Sequence, residues 1–147
     1  MKRHLIQTVS IALFALSTSA FAGEFGTADE AKAMLNKAVA AVKADKTAAL
    51  GQFAKGETGF KDRDLYPFCG GTDGNFSAHP SLNGKSLKDL KDKAGKSLGE
   101  EIYKTAEEGK VKEIAYMWPR PGTTEPVQKV SYVTKIGDQI CAVGYYK

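Results

Sequence analysis

The chain has 147 residues, with 21 basic against 17 acidic side chains, which is room for one domain. A sequence pI of about 9.0 invites a nucleic-acid reading, but part of that charge sits in the first residues. Beyond residue 22 only Arg63 and Arg120 carry guanidinium groups, so no basic stripe for a phosphate backbone exists and nucleic acid is excluded as a partner.

Residues 1–22 read as a secretory signal peptide. Met1-Lys2-Arg3-His4 is a basic head, Leu5 to Leu16 an apolar run, and Ala20-Phe21-Ala22 a small-x-small cleavage site. The run is too short to span a bilayer comfortably. Cleavage would leave Gly23 to Lys147, with 19 basic and 17 acidic residues, as a single periplasmic domain.

Thr27-Ala28-Asp29-Glu30 is a capping-box sequence. Behind it Ala31, Met34, Leu35, Ala38, Val39 and Val42 recur at three- and four-residue steps, the spacing of an amphipathic helix. Asp45 caps a second, shorter helix that ends near Gly56. Asp64 to Cys69 reads as a strand, in which Pro67 must be unpaired on one side or bulged. Asn75 to His79 returns as the second arm of a hairpin. Ser86-Leu87-Lys88-Asp89 caps a short charged helix through Asp92, and another helix runs from Ser97 to Glu108 with Gly109 as its stop. The last forty residues are β: Val111 to Trp118, Val127 to Ile136, and Gln139 to Tyr146. Strands interrupted by helices without βαβ alternation predict an α+β fold with an antiparallel sheet.

Enzyme templates fail in turn. His79 is the sole histidine after the leader, no GxSxG elbow occurs, and no Walker or Rossmann loop is present. One histidine and two cysteines 72 positions apart cannot build a zinc site. No metal, no cofactor and no catalytic residue is expected. Asp62 and Asp64, beside Lys61 and Arg63, read as solvated loop acids. Cys69 and Cys141 are open to two readings, a disulfide in an oxidising compartment or a pair of reduced core thiols.

The β half gathers amphipathic groups: Tyr116, Trp118, Arg120, Lys129, Tyr132 and His79. A pocket for a small carboxylate needs an apolar wall, a few donors and a cation. Tyr116 and Trp118 share strand parity, and Arg120 lies just past the strand end. Both aromatics could equally be plain core residues.

Taken in order, Asp64-Leu65-Tyr66-Pro67-Phe68, Gly74-x-Phe76-x-Ala78-His79-Pro80, Tyr116-Met117-Trp118-Pro119-Arg120-Pro121-Gly122, Lys129-Val130-Ser131-Tyr132-Val133 and Val143-Gly144-Tyr145-Tyr146 resemble the single Cache domains of bacteria. These are small-molecule sensors found outside the membrane in chemoreceptors and sensor kinases. The resemblance spans residues 23–147. It implies a long N-terminal helix packed on one face of a PAS-like five-stranded antiparallel sheet, in the order 2-1-5-4-3. It also implies a pocket on one sheet face for a small organic acid or similar metabolite. In that order strand one neighbours strand five, which favours a Cys69–Cys141 disulfide.

By the same resemblance, Tyr116 and Trp118 would be walls, Arg120 or Lys129 the carboxylate partner, and Tyr132 and His79 polar anchors. The expected function is a periplasmic ligand-binding module that passes its signal to a separate membrane receptor or kinase. Homodimerisation is compatible with this. The competing expectation is a non-catalytic envelope interaction module with a vestigial pocket.

Overall fold

The computed structural model describes residues 23–147; the signal-peptide reading of residues 1–22 falls outside the described residues. Helix α1 spans Ala28–Ala44, and Thr27 and Glu30 close both halves of its capping box. Its apolar stripe of Ala31, Met34, Leu35, Ala38 and Val42 is buried. Asp45 ends α1 and immediately caps α2, Lys46–Lys55, by accepting the Ala48 amide at 3.0 Å. Gly56, at φ 67°, closes α2 in the left-handed conformation that glycine tolerates best.

Five strands follow the helices: β1 Pro67–Gly70, β2 Phe76–Ala78, β3 Lys112–Pro119, β4 Pro126–Ile136 and β5 Gln139–Tyr146. All pair antiparallel, in the order β2-β1-β5-β4-β3. The α+β class and the sheet order are those the resemblance implies. Pro67 pairs with Val143 of β5, while the β2 ladder starts only at Cys69. The missing N–H of Pro67 thus faces no β2 partner, and a register shift follows between Cys69 and Gly70.

The connection between β2 and β3 departs from expectation. Residues 86–92 form turns and not a helix. Ser86 does cap, accepting the Asp89 amide at 3.2 Å, but only Leu87 and Leu90 supply apolar surface there, too little to hold a charged helix against the sheet. Helix α3 covers Leu98–Thr105 and stops short of Glu108. Glu107 instead bridges to Lys110, and Glu108 pairs with Lys135.

Each face of the sheet carries its own core. On one side α1 and α2 pack against Cys69, Cys141 and Val143, with Phe53 and Phe60 edge to face at 4.5 Å. On the other side α3 and the β2–β3 connection cover Phe68, Tyr116, Val133 and Ala142. Cys69 and Cys141 lie directly opposite in register, with Cα atoms 4.1 Å apart, and are disulfide-bonded. Of the two readings open from composition, the structure selects the bond. Asp64 is a correction: it is buried, 5 % exposed, rather than a solvated loop acid.

Candidate ligand-binding site

Strand alternation puts Tyr116 and Trp118 of β3, Lys129 and Ser131 of β4, and Gly144 and Tyr146 of β5 on the face away from α1. Tyr66 and Phe68 join them from the β1 side, and His79 from the end of β2. The rings of Tyr66, Phe68, Phe76, His79, Tyr116 and Trp118 and the Leu90, Leu98 and Ile102 side chains of the covering layer line a mostly apolar space. It is small, about 10 Å³, the room of one water. It opens toward a cleft of about 240 Å³, and the two share Tyr66, His79 and Trp118 as walls. Lys61, Lys93 and Arg120 also line this cleft, with Ser81 and the Pro119–Thr123 loop.

Lys129 is the most telling group. It is 1 % exposed, and its Nζ donates to the Tyr66 hydroxyl at 3.1 Å. The ammonium also lies 4.3 Å from the Tyr66 ring centroid and 4.9 Å from that of Tyr146. Among the described residues no carboxylate pairs with it. Burial pulls the Lys129 pKa down, the hydroxyl oxygens of Tyr116, Tyr66 and Tyr146 pull it up, and the balance lies upward. The ring faces of Tyr66, Phe68 and Tyr146 favour the cation as well. Burial raises the Tyr116 and Tyr146 phenols against the pull of that ammonium, so both remain neutral hydroxyls.

Gly144 makes the space for this arrangement. A Cβ there would stand 2.4 Å from Ser131 Oγ and 2.5 Å from Lys129 Cε. Ser131 in turn hydrogen-bonds the Tyr116 hydroxyl at 2.8 Å.

His79 has a fixed tautomer. Its Nδ1 accepts the amides of Ser81 and Leu82 at 3.0 and 3.1 Å, so the ring proton belongs on Nε2 as a donor. Burial first, and the nearby Lys129 charge second, lower its pKa from 6.5 to about 4. The ring is thus a neutral hydrogen-bond donor at neutral pH.

The structure brings Tyr116, Trp118, Arg120 and His79 to the cavity and cleft, and places Lys129 directly behind Tyr66. Tyr132 it does not. The parity that turns Lys129 inward turns Tyr132 to the α1 face, where it stacks on Tyr145 with centroids 6.0 Å apart. Tyr66, Phe68, Phe76, Leu90, Leu98 and Ile102 line the candidate cavity and were missed by sequence reasoning. The first three carried a usable signal, since they alternate along aromatic strands. The last three come from the covering layer, which has no periodic relation to the sheet.

The sheet thus carries the candidate pocket on the face opposite the N-terminal helix, the architecture of a PAS-like sensor domain. The family model described as "Cache domain" matches residues 29–146, and the chain belongs to that family. A solved periplasmic sensor domain of a chemotaxis protein superposes with a TM-score of 0.60 at 25 % identity, covering 80 % of this chain and 88 % of that one. A second structure, described as the structural basis for carboxylic acid recognition by a Cache chemosensory domain, gives a TM-score of 0.59 at 25 % identity, covering 80 % and 86 %. Methyl-accepting chemotaxis protein McpP of Pseudomonas putida is 34 % identical over 56 residues, 38 % of this chain and 10 % of that protein. The match thus spans about a tenth of that receptor's length. These relatives are sensory proteins, and the chain is a Cache-type ligand-binding sensory domain.

Proposed function

We propose that this domain binds a small monocarboxylate in the periplasm, with residues 1–22 acting as the export signal. The observation that supports this reading is Lys129: a buried ammonium without a carboxylate partner among the described residues, held behind Tyr66, which walls a cleft whose charged lining groups are Lys61, Lys93 and Arg120. An anion entering there would supply the missing countercharge. His79 Nε2 and the Trp118 indole are the donors available to its second oxygen, and Tyr66, Leu82 and Pro121 of the cleft would take a short alkyl chain. The cleft of about 240 Å³ has room for acids of two to four carbons, whereas the adjoining cavity holds no more than one water. The carboxylic-acid-binding relative supports the same class. The chemotaxis relatives support a chemoreceptor as the recipient of the signal.

Thermal-shift titration with acetate, propionate and succinate, set against amino acids, tests this reading. Stabilisation by at least one monocarboxylate is expected. Lys129→Met should fold yet bind that acid about 10- to 150-fold more weakly, the worth of one charge-assisted contact of about 1.5–3 kcal/mol. Indifference of the native protein to every acid would overturn the assignment. Protein recovered from the periplasm should begin at Gly23.

The near-filled enclosed space favours a second reading, an interaction module with a vestigial pocket. That reading expects empty ligand screens together with a stable dimer or a single stoichiometric partner.

A further inference from the structure

Arg120 sits where two hollows meet. Together with Pro121 and Thr123 it lines both the ligand cleft and a groove of about 490 Å³ that also contains Glu24, Phe25, Arg63 and Asp64. Its guanidinium is sandwiched, with its carbon 4.2 Å from the Phe25 ring centroid and 5.1 Å from that of Tyr146. Tyr146 is the same ring that lies under the Lys129 ammonium.

The ion pair made by Arg120 is poorly satisfied. Nε stands 3.5 Å from Asp64 Oδ2, and both atoms are buried without a hydrogen bond. The other Asp64 oxygen is fully engaged, accepting the Gly26 amide at 2.7 Å. Gly26 directly precedes Thr27, the cap of α1. The turn that carries Asp64 grips the same segment a second time. Arg63 donates to the carbonyls of Gly23 and Phe25 at 3.1 and 2.9 Å and pairs with Glu30 of α1 at 2.7 Å. Arg63 is held at φ 57°, a left-handed conformation uncommon outside glycine.

Buried charges with unmet hydrogen bonds are readily drawn to a better partner. A carboxylate in the cleft offers Arg120 the bidentate geometry that Asp64 does not. Resting on the carboxylate reading above, we propose that Arg120 couples the ligand cleft to the entry of α1. A bound carboxylate competes with Asp64 for the guanidinium and draws it off the Phe25 ring. That loosens the docking of residues 23–27 ahead of the helix. Coupling of this kind is reciprocal: whatever weakens the Arg120–Asp64 contact must tighten carboxylate binding.

Two measurements on the full domain test the proposal. The first is the exchange rate of the Gly26 amide by NMR, with and without saturating propionate. Exchange should accelerate on binding in the native protein and show no response in Arg120→Gln. The second is propionate affinity in Asp64→Asn, which retains an oxygen for Gly26 but loses the charge. It should rise by about fivefold, the low end of ordinary coupling strengths. Propionate binding with unchanged or slowed Gly26 exchange overturns the route while leaving the ligand reading intact. Unchanged or weaker affinity in Asp64→Asn does the same, and the exchange measurement stands by itself if that variant fails to fold. Failure of propionate and its C2–C4 congeners to bind at all overturns the carboxylate reading, and the route falls with it.

Discussion

His79 shows how much of the site's character is set by backbone donors. Two amides lock its Nδ1 as an acceptor, and burial beside Lys129 lowers its pKa from 6.5 to about 4. Because the folded value lies below the unfolded one, the unfolded chain takes up the proton first as pH falls. The His79 contribution to stability is therefore complete above pH 6.5, declines as pH drops toward 4, and changes no further below that. The full loss is about 3 kcal/mol. Denaturation of native protein and His79→Gln at several pH values between 7.5 and 4 should show the difference between them shrinking across that window. Parallel curves would mean that His79 is protonated as easily in the fold as out of it. Lys129 is the complementary case, a charge kept by phenol oxygens and ring faces instead of by an acid.

At the scale of elements, β3 is an edge strand, and unpaired edges invite association. The connection before α3 blunts this one. Lys93 donates its amide to the Met117 carbonyl at 3.1 Å, Lys96 Nζ reaches the Ala115 carbonyl at 2.8 Å, and the Met117 amide donates to Asp92 at 2.9 Å. Burial alone would push the Asp92 carboxyl up, but the amides of Met117, Lys96 and Ala94 hold it below the usual carboxylate range. Asp92→Ala leaves those three donors unmet and should cost about 2–4 kcal/mol. It also frees the β3 edge, so self-association by sedimentation should rise with protein concentration; a variant that remains monomeric would argue that the carbonyl contacts alone protect the edge. Little of this strap was legible in the sequence. The Ser86 and Asp89 capping signal is real, but it serves a turn, because a cap sets where a helix starts and not whether apolar surface exists to hold one. Helices α1 and α2 were legible because cap and stripe agree in both. Strand parity made Tyr116 and Trp118 legible as one face of β3, and parity within β4 sets Lys129 and Tyr132 on opposite faces, but only the β3–β4 register shows which of the two joins Tyr116. The covering side chains Leu90, Leu98 and Ile102 arrive by tertiary packing, which leaves no spacing to read. Asp64 was hidden for the same reason: its partners Gly26 and Arg120 are remote in sequence.

Over the whole molecule, the two cores are joined by a single sheet, and the Cys69–Cys141 bond ties β1 to β5 near the middle of that sheet. The sulfur atoms lie on the α1 side, so the bond supports the layer opposite the ligand cleft without entering the cleft. It closes a loop with a sequence separation of 72, which on the chain-entropy model stabilises by about 4 kcal/mol, chiefly by restricting the unfolded chain. That origin makes a distinctive forecast for the Cys69→Ala, Cys141→Ala double variant. Its denaturation midpoint should fall, while the dependence of unfolding free energy on denaturant steepens, because an untethered chain exposes more surface when it opens. Carboxylate affinity at a temperature where the variant is folded should stay within about twofold of native, since bond and cleft lie on opposite faces and distant sites act nearly independently. A large loss of affinity with an unchanged denaturant slope would instead place the bond's role in the native state, holding β1 and with it Tyr66 and Phe68 in register beneath the ligand.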